Sequence, residues 1–536
     1  MYPLELDGQS LTLKALVEVA RCGRSASLSE DARALMAQSR AWVEDASEGR
    51  LPGGERAIYG VNTGFGSLSQ IRIQADQMRQ LSRNLIRSHA AAVGPYVAPE
   101  ISRATVLLRA NALSRGASGC RPVLVEALLA LLREGITPAL PSQGSCGSSG
   151  DLAPLSHLGL LIAHDPSDPH SETGSAWVNG KLVSGKDALA LKGLKPVVLG
   201  AKEGLAINNG AQVTTAIAAL ACYDAHQLVL LAEIAAAMAV EALKGVRRAF
   251  HPAVHALRPY VGARACAANL LILLEGSELV DSVPGRVQDA YSLRCSPQVL
   301  GASRDAIAHV TAQVEVELNA VTDNPVILPE DNGEGDDYGA FSAGLFHGEP
   351  VGMAADYLKI AVAEIASISE RRLFRLITGN LSGRLPAQLV GKDRPGVGLF
   401  GLQTSAAALV SENKALAWPA SVDSIPTCED QEDHVAMSTT AARRASEVVT
   451  NARRVIAIEL FAAARALRYR RTLEPTVSLG KGTGAALEAL EAILEGSDGE
   501  SPSELIERVE GAMAGETIET AVQDACGALF AVGEAP

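Results

Sequence analysis

The most apolar segment of the chain runs from Leu205 to Leu243, and Ala and Leu dominate it. Both are good helix formers, whereas strands draw on β-branched and aromatic residues. A run this long demands a membrane or a large packed interior. Asp224, His226 and Glu233 lie within it, so it reads as a buried core helix and not as a membrane span. The whole chain agrees: of 536 residues 47% are hydrophobic and only 4% aromatic, which suits a large, mainly α core.

The net charge of -14 argues against nucleic acid or an anionic membrane surface as the main partner. The first twenty residues lack a basic segment followed by an apolar one, so no signal peptide is expected. The eight cysteines include no C-x-x-C pair, and free thiols in a reducing cytoplasm are the expectation.

Residues 1–50 read as two amphipathic helices with a break around Ser25–Ser29. A Gly-rich loop, YGVNTGFGSLS, follows at 59–69. Helical periodicity then runs from about Gln77 to Glu134, broken near Pro95 and Pro122. A second loop, PSQGSCGSSGD, occupies 141–151 and precedes the helical LAPLSHLGLLIAH. Asn179-Gly180 marks a small hairpin. Beyond Ala201 the pattern is long helices with loops near Gly285, 331–338, 379–398 and 419–433. The acidic run 331–337 reads as a solvated loop. Residues 480–536 read as a Gly-punctuated start and two shorter helices. The expected architecture is a long central helical bundle (201–480), a smaller loop-rich N-terminal part (1–200) carrying the unusual glycines, and a C-terminal helical tail (481–536).

GSCGSSGD concentrates glycine and hydroxyl or thiol groups just before a helix. It fits neither a phosphate cradle, which needs G-x-x-x-x-G-K-[ST] or G-x-G-x-x-G, nor the G-x-S-x-G nucleophile elbow. Two chemistries stay open. An amidase-like serine hydrolase would need a supporting base. Backbone cyclisation would join the Gly150 nitrogen to the Ser148 carbonyl in a five-membered ring, and Gly suits that close approach because it has no Cβ. Dehydration of Ser149 would then leave an exocyclic methylidene, a strong electrophile.

The segment GSCGSSGDLAPLSH resembles the signature of the histidine and aromatic amino acid ammonia-lyases, whose usual core is Ala-Ser-Gly-Asp-Leu-x-Pro-Leu. Ser148 stands here in place of the usual Ala and contributes only its carbonyl to the ring. Matching blocks extend from about residue 10 to 475: YGVNTGFG at 59–66, RNLIRSHAAAVG at 83–94, EGLAINNGAQ at 203–212, VQDAYSLRCSPQVLGA at 287–302, ELNAVTDNP at 317–325, FHGEPVGMAAD at 346–356 and SENKALAWPASVDSIPTCEDQEDHV at 411–435. The resemblance implies a methylidene-imidazolone (MIO) group formed from Ser148, Ser149 and Gly150, with no external cofactor. It also implies a mainly helical homotetramer whose active sites combine loops of several subunits.

The same resemblance implies roles for individual residues. Tyr59 is the base that removes a β-proton; a phenol of ordinary pKa near 10 needs help to ionise, for which helix N-terminal dipoles are the expected source. Asn209 and Tyr291 lie near the MIO group, with Phe346 beside it. Gln288, Tyr291 and Arg294, at i, i+3 and i+6, would share one face of a helical segment. Arg294 would clamp the substrate carboxylate in a two-pronged fork. Asp151 serves as an N-cap for the following helix and assists MIO formation.

Substrate choice rests on His89 and Glu432. A carboxylate can accept from an imidazole N–H but gains nothing from a benzene ring, so Glu432 points to histidine, with urocanate and ammonia as products. Departures at Gly344-Leu345, 396–400 and Glu429-Asp430, where histidine ammonia-lyases usually carry asparagines, keep tyrosine or phenylalanine lyase and 2,3-aminomutase as alternatives. An inactive helical scaffold is a further one. His347, Glu349, Glu432 and His434 have no metal-site spacing, and no metal is expected.

Overall fold

The computed structural model describes residues 2–536 except 52–56, 67–68, 75–76, 165–170, 330–338, 392–397 and 498. Among the described residues nineteen α-helices alternate with short strands, none longer than four residues. The Ala/Leu composition thus yields the mainly helical class expected from sequence. The acidic run 331–337 and part of 396–400 lie outside the described residues.

The chain forms two compact units, each taking three stretches. The first comprises Met1–Tyr223, Ala312–Asp356 and Pro419–Arg443; the second comprises Asp224–Thr311, Tyr357–Trp418 and Arg444–Pro536. The partition is interleaved, where the sequence suggested consecutive segments.

In the first unit, helices Leu13–Cys22 and Glu30–Ser47 begin at Thr12 and Ser29, whose hydroxyls accept from backbone N–H groups three residues on. The break between them is a strand, Ala26–Leu28, paired in parallel with Leu4–Leu6. Pro95 does interrupt the helical run, because it sits in strand Val93–Tyr96, which pairs with Pro141–Gln143. Pro122 instead starts a helix, Pro122–Arg133, in a position where its missing N–H would be unpaired anyway. The hairpin is present: Ser175–Val178 pairs antiparallel with Lys181–Ser184 across Asn179 and Gly180, both at positive φ. That is the backbone a two-residue turn of this hand requires.

The second unit is held together by apolar helix packing with ion pairs inside it. Arg372 and Glu459 are both fully buried, and Ser369 also donates to that carboxylate. Arg304 and Asn269 likewise converge on Glu233. A buried charge survives only with such partners. The helix Gln212–Ala242 is long and apolar enough to cross a membrane, but 83% of its most apolar window is buried inside the protein. The C-terminal region forms three helices, Lys481–Ile493, Pro502–Ala514 and Thr517–Cys526, one more than the sequence suggested.

Candidate active site

A cavity of about 750 Å3 opens in the first unit, within the size range of small-ligand sites. Its lining includes Tyr59, Ser148, Ser149, Asn209, Phe346 and Glu432. Residues spread over most of the chain are therefore brought together, because three separate segments make one unit.

The loop 144–151 forms the chemically unusual part of the wall. Gly150 has φ +71 and forms a parallel bridge with Gly210. A Cβ built on Gly150 would lie 2.4 Å from the Gly210 backbone. Glycine is thus required twice, by the left-handed φ and by the close approach. Gly150→Ala should destabilise the protein by about 2 kcal/mol or more, from left-handed strain plus the clash. Thermal melting of the variant against the wild type checks this, and an unchanged Tm would contradict it.

Asp151 follows, fully buried. The sequence suggested that it caps its own helix, Leu152–Ile162, but its side chain makes no capping bond there. Its Oδ2 instead accepts from the Thr214 N–H at 2.8 Å, in the first turn of the Gln212–Ala242 helix, so it caps a helix remote in sequence. Its Oδ1 accepts from the hydroxyls of Ser145 at 2.7 Å and of Thr214 and Thr439 at 2.9 Å each. Burial nevertheless raises the pKa of this carboxyl, and the hydrogen bonds offset that only in part.

Opposite the loop, Ser149 donates its hydroxyl to Glu432. The second oxygen of Glu432 accepts from Thr427 at 2.5 Å. A narrow turn presents this carboxylate: Thr427 and Glu432 pair as an antiparallel bridge. The three consecutive residues Cys428, Glu429 and Asp430 inside it all have φ between 52° and 64°. Non-glycine residues rarely adopt that conformation, which costs about 1–2 kcal/mol each. The left-handed triplet includes Glu429 and Asp430, one of the three places where the chain departs from the family pattern.

Tyr59 sits in a turn where Asn62 Oδ1 accepts from the Ile58 N–H at 2.7 Å. The Tyr59 oxygen accepts from the Gly66 N–H at 3.3 Å. Burial first, then the nearby Cys428 and Glu432, push the phenol above its ordinary pKa, while the Gly66 N–H works in the opposite direction. Asn209 ends the short helix Glu203–Asn208 and donates to the Asn324 carbonyl at 3.1 Å, while its buried Oδ1 lacks a partner. Its neighbour Asn208 turns away to Ser156.

Not every expected residue lines the cavity. His89, the last residue of the Met78–His89 helix, turns Nδ1 back to the Leu85 carbonyl at 2.9 Å. Gln288, Tyr291 and Arg294 belong to the second unit. There the helix Tyr291–Arg294 spans only four residues, so Gln288 lies outside it and the shared helical face does not form. Tyr291 is 72% exposed, and the Arg294 guanidinium lies 4.7 Å from its ring centroid.

Conversely, Ser342, Gln431, Asp433, His347 and His434 line the cavity, with the two histidine rings stacked at 6.0 Å. The Ser145, Thr214 and Thr439 hydroxyls around Asp151 also escaped the sequence reading. Thr439 in STTAA looks like an ordinary helix start, and no sequence signal links it to a loop some three hundred residues earlier.

The chain matches the aromatic amino acid lyase family over residues 11–492. It is 50% identical to a histidine ammonia-lyase of Symbiobacterium thermophilum over 88% of this chain and 89% of that protein. It is 46% identical to another from Gloeobacter violaceus over 98% of both. Its fold is similar to that of histidine ammonia-lyase from Trypanosoma cruzi (TM-score 0.86, 35% identity, 98% of this chain and 95% of the other). It is equally similar to tyrosine aminomutase from Streptomyces globisporus (TM-score 0.87, 33% identity, 98% and 99%). With its cavity, its glycine-locked serine loop and these relatives taken together, the chain belongs to the aromatic amino acid lyase family.

Proposed function

We propose that this protein eliminates ammonia from L-histidine to give urocanate, using an MIO group built from Ser148, Ser149 and Gly150. The observation that carries the reading is Glu432, a carboxylate set in the cavity wall directly against Ser149. The residues present fit the group. Gly150 stands at a left-handed φ where only a residue without Cβ fits, and Asn209, whose buried Oδ1 lacks a partner, lines the same cavity. Once formed, the group would supply the electrophile that makes the substrate amine a better leaving group.

The chain's own residues do the rest. Dehydration of Ser149 removes the hydroxyl that Glu432 now accepts from, leaving that carboxylate free to take an imidazole N–H. Tyr59 removes the β-proton, Asn209 and Phe346 line the group, and Arg294 pairs the substrate carboxylate. Because His89, Gln288, Tyr291 and Arg294 do not line this cavity, the reading includes a homotetramer in which other copies supply such residues, working in the cytoplasm. In the serine-hydrolase alternative Glu432 would have to serve as the base, since the Ser149 hydroxyl donates to that carboxylate and not to an imidazole.

Glu432→Gln should lower kcat/KM for histidine roughly tenfold to a hundredfold, the worth of a hydrogen bond to a charged group. Turnover of tyrosine and phenylalanine should be unchanged or improved. Ultraviolet assay of wild type and variant on the three amino acids gives opposite signs for the histidine and aromatic readings. Analysis for β-amino acid product separates elimination from 2,3-amine migration.

A further inference from the structure

The wall behind the serine loop is made by the start of the Ser438–Leu473 helix. A Cβ on Gly147 would collide with the Ser438 hydroxyl, and one on Gly348 with the same atom. The Gly348 N–H donates to the Gly147 carbonyl at 2.8 Å. One residue further, the Thr439 hydroxyl lies 2.9 Å from both Asp151 Oδ1 and Ser145 Oγ, and 2.8 Å from the Thr214 hydroxyl. Ser145 in turn spans the loop: its oxygen accepts from the Gly147 N–H at 3.0 Å, and its hydroxyl lies 3.4 Å from the Gly150 carbonyl oxygen. Thr439 therefore abuts both the residue that ties the ends of the loop and the carboxyl immediately after it. The whole cluster is buried or nearly so.

We propose that Thr439 is a positioning residue for the self-modification of Ser148-Ser149-Gly150, an inference that rests on the MIO reading above. In the ring closure, the Gly150 nitrogen bonds to the Ser148 carbonyl carbon. The carbonyl oxygen leaves as water with the protons of the Gly150 and Ser149 amides, and a C=N bond forms to the Ser149 nitrogen. A second water takes the Ser149 hydroxyl and the Ser149 Cα proton, leaving a C=C bond. Neither loss needs an oxidant or a co-reactant. The first needs the Gly150 nitrogen held against the Ser148 carbon, and holding two groups in reacting geometry is a large source of acceleration. Thr439 provides this by fixing Ser145 and Asp151 together. Without the Thr439 hydroxyl, the direct Ser145–Asp151 hydrogen bond loses the group that braces both residues, and the loop is held less firmly.

The test follows maturation and not turnover. Freshly translated full-length wild type, Thr439→Val and Thr439→Ser are sampled over time, and the peptide spanning 141–151 is weighed by mass spectrometry. Thr439→Val keeps the shape and loses the hydroxyl, so the loss of two waters should slow roughly tenfold to a hundredfold. Thr439→Ser should restore it. Far-ultraviolet circular dichroism checks that the variant folds. Should Thr439→Val fail to fold, Ser145→Ala removes a neighbouring hydroxyl of the same cluster and carries the same expectation. Maturation of the folded hydroxyl-less variant at the wild-type rate overturns the proposal, as does a Thr439→Ser chain as slow as Thr439→Val. A wild type that never loses two waters ends the MIO reading itself, which is a different result.

Discussion

Ser149→Ala yields a folded protein with no measurable ammonia release, a drop of roughly 10³-fold or more in kcat, on the scale of losing a group through which catalysis runs. The fold should survive because Ser149 faces the cavity, and its hydroxyl contributes one hydrogen bond, to Glu432. The wild-type 141–151 peptide should weigh two waters less than its sequence requires, and the Ser149→Ala peptide should keep its hydroxyl-free sequence mass or lose only the water of ring closure. A fluorophosphonate probe should label neither protein. Covalent labelling of the wild type at Ser149 would instead identify a serine hydrolase and remove the lyase chemistry.

Tyr59→Phe should lower kcat about 10²- to 10⁴-fold, the usual worth of a positioned acid–base group. Stability should change little, since the phenol takes one hydrogen bond of 3.3 Å from the Gly66 N–H. The pH profile carries the sharper test. Burial raises this phenol above its ordinary value, so its ionised fraction grows with pH across the whole range from about 7 to 10. Wild-type kcat/KM should therefore rise with pH over that range, and the rise should vanish in Tyr59→Phe. A flat wild-type profile would show that Tyr59 is not the base that titrates in the free enzyme.

The helical class was legible because Ala and Leu carry a local preference that each turn of helix expresses on its own. The hairpin at Asn179-Gly180 was legible for the same local reason. The Tyr59 turn, the 141–151 loop, Asn209, Phe346 and Glu432 were found through motif blocks, and the cavity gathers them. What stayed hidden is long-range. The Asp151 carboxylate looked like a cap for the next helix, yet it caps one that begins some sixty residues later, and nothing in its neighbourhood distinguishes the two. Thr439 carries no local mark at all. The left-handed triplet Cys428–Glu429–Asp430 was visible only as an unusual pair of acids, because backbone conformation this rare is imposed by the bridge that closes the turn and not by those residues. Gln288 was placed on one helical face with Tyr291 and Arg294 by spacing, and the helix there proved only four residues long and begins after it.

The clamp on the serine loop also has a meaning in time. Ribosomes deliver Ser148, Ser149 and Gly150 early, but Thr439, on which their arrangement leans, arrives almost three hundred residues later. A chain arrested in between would possess every atom of the tripeptide and no wall to press it against. On the reading proposed here, the missing two waters act as a seal applied only to finished copies, so a truncated product would stay chemically inert instead of carrying a reactive alkene through the cell.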